Sequence, residues 1–243
     1  MTIIAPFDIE SIPDRSLPED CRPQFDPDSV AMGNTTDPVK VQAKIDKARE
    51  AFGPDAIKKM SVNPDMLEIC TFVAYYYDTK KHEILDKCSI QITDKDVNDY
   101  EAVFEGWKFL QQAYNNSYPI VSYNGIGFDF PAMRSRAMVL DVPINYNMYS
   151  KCMKQWEGNR EHYDLMKVLL NFSTRNYQKL DFYLKRFNIG AKTEGMGGDK
   201  VYEAFQAGEF EKIQHYCEDD VLSTAKLFAR VEPWIRTVRS EGN

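Results

Sequence analysis

Two acidic side chains, Asp8 and Glu10, stand two residues apart near the start of the chain. Asp8 lies in a short apolar run, Ile3 to Ile9, which we predict to be a buried strand with Pro6 at a strand edge or bulge, and Glu10 directly follows this run. Residues two apart on a strand point to the same face, so both carboxylates would project side by side. Like charges this close repel each other, and burial raises that cost, unless a divalent cation lies between them. The pair alone is equally compatible with a solvated acidic face on an edge strand.

A third carboxylate, Asp129, follows a predicted strand-to-helix turn. Residues 119–123 are predicted to form a short strand, Gly125 and Gly127 allow a tight turn, and Pro131 begins a helix. An acidic residue at a helix N-terminus is usually a favourable cap or dipole partner. Asp129 also lies at a strand-to-helix corner, which is where the sites of α/β sheets collect. Its position therefore favours a role in a functional site.

A fourth carboxylate, Asp220, falls on the apolar face of the last long helix, predicted over residues 209–231. The other residues of that face are Ile213, Tyr216 or Cys217, Thr224, Leu227, Phe228 and Val231. A carboxylate that faces the core costs several kcal/mol unless a cation or a strong hydrogen-bond donor compensates it. No Lys or Arg shares that face, so a bound cation explains Asp220 better than hydrogen bonds to backbone groups do.

The remaining elements indicate how these residues are positioned. Strands are predicted over residues 66–77 and 82–92, joined by a turn at 78–81, and helices over 99–113, 178–187, about 199–205 and 209–231. Strands followed by strand–helix alternation indicate an α/β layer fold. We expect one domain, residues 1–243, with an insertion at about residues 13–65. Within the insertion, residues 38–52 are predicted to form a solvated helix that Asp37 caps and that Gly53 and Pro54 end.

Composition narrows the class of protein. The chain has 243 residues, 43% of them hydrophobic and 28% charged, which is an ordinary globular composition. A formal net charge of −7 argues against broad coating of nucleic acid, although a local basic track would suffice to bind a single strand. Five cysteines without CxxC spacing indicate reduced thiols rather than a zinc site. Finding neither a signal peptide nor a spanning stretch, we expect a cytoplasmic protein (host cytoplasm for a phage protein) without membrane contact.

Together the acidic residues form the motif series DxE, NxxxFD and YxxxD, in that order. This series resembles the DEDD superfamily of 3′–5′ exonucleases, and its tyrosine is similar to that of the tyrosine branch, DEDDy. More closely, the chain resembles stand-alone phage and bacterial exonucleases related to the proofreading domain of family-B DNA polymerases. Supporting similarity lies at residues 123–125, 163–165 and 201–222, and the resemblance covers residues 3–12 and about 66–230. It implies an α/β, ribonuclease H-like fold with a central mixed sheet flanked by helices.

The resemblance also implies an activity, the hydrolytic removal of nucleoside 5′-monophosphates from the 3′ end of single-stranded DNA with two Mg²⁺ or Mn²⁺ ions. Asp8, Glu10 and Asp220 would bind the ion that activates water. Asp8 would bridge to the second ion, which Asp129 would hold. Tyr216 would orient the attacking water. Ser11 and Ile12 would contact the terminal nucleotide. Asn124 and Phe128 could contact the sugar or stack on a base, although Phe128 is equally compatible with a place in the core.

Two other functions are compatible with the same motifs. An RNA-trimming 3′–5′ exoribonuclease would use the same active site, because nothing in the motifs reads the 2′-hydroxyl. A non-catalytic module that binds nucleic acid or a polymerase could retain the fold, but the presence of all four acids and the tyrosine argues against a decayed site. Because the chain carries no polymerase motifs, a role in DNA replication or repair would involve a separate DNA polymerase or replication protein.

His215 competes with Tyr216, since the histidine branch of the superfamily has the spacing HxxxxD. On one continuous helix, His215 would lie about 140° around from Asp220, whereas Tyr216 would lie about 40° away. We therefore assign the role to Tyr216 and predict that His215 lies at the surface.

Basic and glycine-rich segments give weaker indications. The residues that could form a local basic track are Lys185, Arg186, Lys192, Lys200, Arg134 and Arg136, although charged helix faces are usually only solvated. The glycines Gly190, Gly195, Gly197 and Gly198 lack the Lys-Ser/Thr of a phosphate-binding loop and are predicted to form a flexible lip. Asp164 is better explained as a helix cap than as a carboxylate behind the metal ligands.

Overall fold

The computed structural model describes residues 3–154, 160–173, 176–190 and 196–240, with side chains up to residue 235. Its centre is a mixed five-stranded sheet in the order β3-β2-β1-β4-β5. The strands are β1 Ile3–Pro13, β2 Leu67–Asp78, β3 Glu83–Gln91, β4 Ile120–Ser122 and β5 His162–Asp164. β2 pairs antiparallel with both β1 and β3, whereas β4 pairs parallel with both β1 and β5. The predictions for β2, β3 and β4 are confirmed to within one residue at each end.

Helices cover both faces of the sheet. Those that the structure describes are α1 Pro38–Ser61, α2 Tyr100–Asn115, α3 Asp129–Val139, α4 Tyr146–Cys152, α5 Leu165–Leu169, α6 Leu180–Arg186, α7 Val201–Gln206 and α8 Phe210–Ser240. On one face, Trp107 of α2 and Met133 of α3 pack into the cluster around Phe72 of β2. On the other face, Leu184 of α6 and Phe228 of α8 belong to a second buried cluster.

β1 lies in the middle of the sheet and alternates between these two faces. Phe7 and Ile9 point into the core beneath α2 and α3, whereas Ile4 points into the core beneath α6 and α8. The same period of two places Asp8 and Glu10 on the α8 side. β1 therefore carries the first acidic pair at the centre of the molecule and not on a solvated edge.

Pro6 lies in this central strand, so the prediction of a strand edge or bulge at Pro6 is wrong. The backbone N–H of Ala5 points to the β4 side and donates to the Pro119 carbonyl at 2.8 Å. Alternation then directs the nitrogen of Pro6 towards β2. Pairing with β2 stops after Ile4 and resumes at Phe7, because proline has no N–H to donate there.

The insertion between β1 and β2 contains α1, which is longer than predicted. Asp37 caps its first turn, as predicted. The helix passes through Pro54, where the sequence predicts its end, and continues to Ser61. The last turn is buried at Met60 and Ser61, and the Ser61 carbonyl accepts a hydrogen bond from the Ser11 hydroxyl at 2.7 Å. This anchoring stabilises the turns beyond the proline, which removes one backbone hydrogen bond.

α8 begins within one residue of its predicted start and continues beyond residue 231 to Ser240. Its predicted orientation is confirmed, because Tyr216 and Asp220 are buried and His215 is exposed. Within the described parts of the chain, no helix combines the length and apolar character needed to cross a membrane.

Candidate metal centre

The acidic pair of β1 lies beside a thiol of α8. Asp8, Glu10 and Cys217 each place one potential ligand atom within 4.8 Å of the others. The Cys217 thiol lies 3.6 Å from the main-chain oxygen of Asp8 and 3.8 Å from its Oδ2. Directly after Glu10 the pairing with β2 shifts by one residue, and Cys70 is the extra residue of β2. Bulges of this kind re-aim side chains next to active sites.

Tyr216 lies where three carboxylates meet. Burial raises the pKa of its hydroxyl far above the ordinary value, and the charges of Glu10, Asp220 and Asp8 raise it further. The hydroxyl donates a hydrogen bond to Asp220, which lies one turn further along α8. Tyr216 therefore keeps its proton at neutral pH and faces the same space as the three carboxylates.

Asp129 approaches the centre from the β4 side of β1. It is the first residue of α3, and its carboxyl accepts a hydrogen bond from the backbone N–H of Ile9, between Asp8 and Glu10. Burial is the main cause that raises the pKa of Asp129 to about 7, and the charge of Asp164 adds to it. Its Oδ1 is buried and has no hydrogen-bond partner among the residues that the structure describes. A buried oxygen of this kind costs free energy unless a cation or a proton compensates it.

The turn that leads to Asp129 contains two glycines. A Cβ atom on Gly125 would lie 2.2 Å from Oγ of Ser122, and one on Gly127 would lie 2.4 Å from Oδ1 of Asn124. The approach at Gly125 also includes Cβ of Ser122 at 2.7 Å, so this position requires glycine, whereas the contact at Gly127 is with the amide end of a side chain that can turn away.

Asp164 fixes the same turn from the end of β5. Its carboxylate accepts backbone N–H groups from Asn124 at 3.0 Å and from Ile126 at 3.1 Å. It also caps α5 by accepting the N–H of Met166 at 3.1 Å, which confirms the predicted cap. The contacts to the turn are a second role, which spacing along the chain does not reveal because β4 and β5 are far apart in sequence.

His162 is a further supporting residue that the sequence did not single out. Its ring is buried, with Nε2 2.7 Å from Oγ of Ser122 and Nδ1 2.8 Å from the carbonyl of Cys152. Burial lowers the pKa of His162, so the neutral ring donates from Nδ1 and accepts the Ser122 hydroxyl at Nε2. Oγ of Ser122 in turn accepts the N–H of Gly125 at 3.1 Å. A single histidine in a short strand gave no signal that could have identified this chain of contacts.

The donor atoms fit hard divalent cations. Asp8, Glu10, Asp129 and Asp220 offer carboxylate oxygens, which Mg²⁺ and Mn²⁺ prefer. Burial, followed by the charges of Asp8 and Glu10, raises the pKa of the Cys217 thiol well above its ordinary value. Sulfur is also a soft ligand, so Cys217 suits these hard cations less well than the carboxylates do. The unsatisfied Oδ1 of Asp129 is the observation that most directly indicates a missing positive charge.

A groove of about 690 Å³ opens beside these carboxylates. Its lining includes Asp8, Tyr123, Asn124, Tyr177, Lys179, Lys185, Tyr216 and Asp220. Asn124 thus lies where a nucleotide contact was predicted. The Ser11 hydroxyl is engaged by α1, Ile12 is fully buried, and Phe128 is half-buried against the core. Nucleotide contacts by all four residues, Asn124 included, stay predictions.

The predicted basic track is wrong at Arg136. Its guanidinium is buried and forms ion pairs with Asp14 at 2.5 Å and with Asp99 at 2.6 Å. These pairs join the end of β1 to α2 and α3, so Arg136 is a structural residue. The arginine was assigned to the surface because long-range partners on other elements cannot be read from its own helix.

Other members of the predicted track and lip have mixed outcomes. Lys185 lines the groove but pairs with Asp181 at 2.6 Å. Gly197 and Gly198 also line the groove, whereas Lys192 and Gly195 lie outside the described residues.

Solved structures show what the fold is similar to. The family B DNA polymerase from the hyperthermophilic archaeon Pyrobaculum calidifontis matches with a TM-score of 0.61 and 18% identity. The match covers 100% of this chain and 26% of the polymerase chain, so this chain spans about a quarter of that protein's length. E. coli Exonuclease I in complex with a dT13 oligonucleotide matches with a TM-score of 0.37 and 12% identity, over 75% of this chain and 41% of that chain. No curated protein sequence gives a significant match.

The similarity to the polymerase and a family match identify the fold. The mixed sheet flanked by helices is ribonuclease H-like, as predicted. Residues 67–242 match the family described as a predicted 3′–5′ exonuclease related to the exonuclease domain of PolB. This stretch contains Asp129, Tyr216 and Asp220, and the sheet order brings Asp8 and Glu10 of β1 next to it. The chain belongs to this family of predicted 3′–5′ exonucleases related to the exonuclease domain of PolB.

Proposed function

We propose that the chain is a 3′–5′ exonuclease that removes nucleoside 5′-monophosphates from single-stranded DNA by two-metal-ion hydrolysis. The observation that carries this proposal is the arrangement of Asp8, Glu10 and Asp220 around the Tyr216 hydroxyl. The buried, unsatisfied oxygen of Asp129 on the neighbouring edge of β1 supports it. Three like charges this close, with a fourth nearby, are an unfavourable arrangement in the absence of cations.

The carboxylates of the centre would hold the cations, and the tyrosine would orient the attacking water. Asp8, Glu10 and Asp220 would hold one ion, and Asp8 with Asp129 would hold the other. When bound, two such ions supply an activated nucleophile and stabilise the leaving 3′-oxygen. The Tyr216 hydroxyl keeps its proton and would position the attacking water by a hydrogen bond, while its ring fixes the hydroxyl by packing in the stripe of α8.

The groove supports a single strand as substrate. Tyr123 and Tyr177 are aromatic residues of its lining, and stacking of unpaired bases on aromatic rings tolerates any sequence. The predicted contact residue Asn124 lies in the same groove.

The direct test is incubation of the full chain with a 5′-labelled single-stranded DNA in Mg²⁺, in Mn²⁺ and in EDTA, with the matching RNA in parallel. We expect a ladder that shortens from the 3′ end with DNA and no cleavage in EDTA. Asp220→Asn should lower the rate at least about a hundredfold, because it removes a ligand of the ion that activates water.

Asp219→Asn is the matched control, since it makes the same chemical change one residue away, at a half-buried position outside the groove lining. Equal loss of activity in both variants, or full activity of Asp220→Asn, would contradict the proposed site. Faster trimming of RNA than of DNA would reassign the substrate.

A further inference from the structure

The groove beside the carboxylates is itself acidic. Among the residues that the structure describes, its lining contains the four aspartates Asp8, Asp181, Asp199 and Asp220 and the two lysines Lys179 and Lys185. Lys185 is also engaged by Asp181. A nucleic acid strand carries one negative charge per phosphate, so the groove alone offers little attraction to the strand beyond the bound cations. Positive charge outside this described lining would therefore strengthen the binding of a polyanion.

α1 carries such charge. It contains six basic and three acidic residues, an excess of three positive charges in a chain with a net charge of −7. Lys40, Lys47 and Lys58 form one stripe along it, because offsets of seven and eighteen residues return to the same side of a helix to within about 20°. At a rise of about 1.5 Å per residue, the stripe is about 27 Å long.

The described part of the structure shows no structural role for the three lysines of this stripe. All three are exposed, and none forms a hydrogen bond or ion pair with any residue that the structure describes. By contrast, Lys44 donates to the loop before the helix, and the Arg49 guanidinium lies over the ring of Phe25. Lys40 stands in the first turn of α1, where the helix dipole disfavours a positive charge. Helix stability therefore does not explain the stripe.

The stripe ends next to the strand that carries the acidic pair. Lys58 precedes Ser61 by three residues, and the Ser61 carbonyl accepts the hydroxyl of Ser11, the neighbour of Glu10. One end of the stripe is thus fixed near the metal centre, and the other end leads about 27 Å away from it along α1.

We propose that Lys40, Lys47 and Lys58 bind the phosphate backbone of the single strand on the 5′ side of the nucleotide that is removed. This inference rests on the proposed function and adds to it the surface that holds the remainder of the substrate. Contacts of this type are independent of sequence and fix the position of the strand. The insertion, which interrupts the chain between the acidic pair and β2, is thereby assigned a role in substrate binding.

The test compares the wild type with the triple variant Lys40→Gln, Lys47→Gln, Lys58→Gln. The probe is a fluorescein-labelled oligothymidylate of about 20 nucleotides with phosphorothioate linkages at its 3′ end, and the readout is its anisotropy in Mg²⁺ across salt concentrations. Each phosphate contact to a single strand contributes about 0.7 to the slope of log K against log salt, so the variant should lose about 2 from that slope. When KCl is raised from about 50 to about 200 mM, the affinity of the wild type should then decrease by a factor about twentyfold larger than the factor for the variant.

The matched control is Lys80→Gln, Lys81→Gln, Lys87→Gln, which removes the same charge from β3 and the turn before it. That turn lies beside Ile3, at the opposite end of β1 from Ser11. The control should keep the wild-type slope, and both triple variants should keep the wild-type melting temperature. An unchanged slope in the α1 variant would overturn the proposal, and it is also the result expected if this face of α1 binds a protein instead. An equal loss of slope in the control variant would overturn the proposal as well. Failure of the proposed function would appear separately, as wild-type protein that binds the probe but does not trim an unmodified oligonucleotide.

Discussion

Replacement of Asp129 by Asn isolates the electrostatic cost of the metal centre. Burial raises the pKa of Asp129 from 3.8 to about 7. Between about pH 4 and pH 7, the folded protein therefore retains a proton that the unfolded chain has lost, and its stability falls as the pH rises through this window. Above about pH 7 both states are ionised and the loss is complete. Three pKa units correspond to about 4 kcal/mol, which is an upper limit because partial solvation of the site would reduce it.

Asn cannot ionise, so Asp129→Asn removes this pH dependence. In EDTA, the free energy of unfolding of the variant minus that of the wild type should increase by up to about 4 kcal/mol from about pH 4 to about pH 8. This corresponds to a difference of about 10 °C in melting temperature for a chain of this length. Using the change with pH, rather than the absolute difference, cancels the effect of exchanging an acid for an amide.

Urea unfolding at the two pH values, with and without Mg²⁺, measures this effect. Mg²⁺ should stabilise the wild type at about pH 8 by binding the folded state, and it should stabilise Asp129→Asn less. The control is Asp96→Asn, which makes the same chemical change at an exposed position. A difference between Asp129→Asn and wild type that does not change with pH would refute the assignment of a buried, uncompensated carboxyl at Asp129.

Three further results are expected. Tyr216→Phe should reduce turnover on the order of a hundredfold without loss of stability. His215→Ala, at an exposed position, should leave turnover near wild type. The reverse pattern in the nuclease assay would transfer the role to the histidine. Arg136→Ala should lower the free energy of unfolding, measured by urea unfolding, by about 3–5 kcal/mol, because two buried carboxylates lose their partner. A change below about 1 kcal/mol would contradict the buried network. Gly125→Ala should destabilise the fold and lower activity, because the new Cβ would overlap Ser122. Gly53→Ala has open space around the new Cβ, so it should be neutral or stabilising by up to about 1 kcal/mol in the same assays.

Local periodicity predicted the parts of the centre that lie on one element. The spacing of two between Asp8 and Glu10 gave their common face, and the apolar stripe of α8 gave the burial of Tyr216 and Asp220. His215 falls outside that stripe and is exposed, as its angle on the helix predicts. These properties depend only on residues close in sequence, which explains why the sequence was sufficient.

Features that depend on contacts between distant segments could not be predicted in this way. Pro6 is accommodated in a central strand because the ladder to β2 is interrupted beside it, and α1 continues through Pro54 because its last turn is anchored to β1. Arg136 is buried by two aspartates from other elements. The hydrogen bond from Ile9 to Asp129 requires β4 to end before that level of β1. Each of these features depends on a contact with a residue far away in the sequence, which local patterns cannot predict.

The most direct test of the central claim is a crystal structure of the full chain soaked in Mn²⁺, with anomalous diffraction measured at the manganese edge. Carboxylates from β1, α3 and α8 should converge on the metal. The account predicts two anomalous peaks about 4 Å apart, one beside Asp8, Glu10 and Asp220 and one between Asp8 and Asp129. Absence of any peak at Asp8, or a peak that is liganded elsewhere on the surface while these four carboxylates bind none, would contradict it.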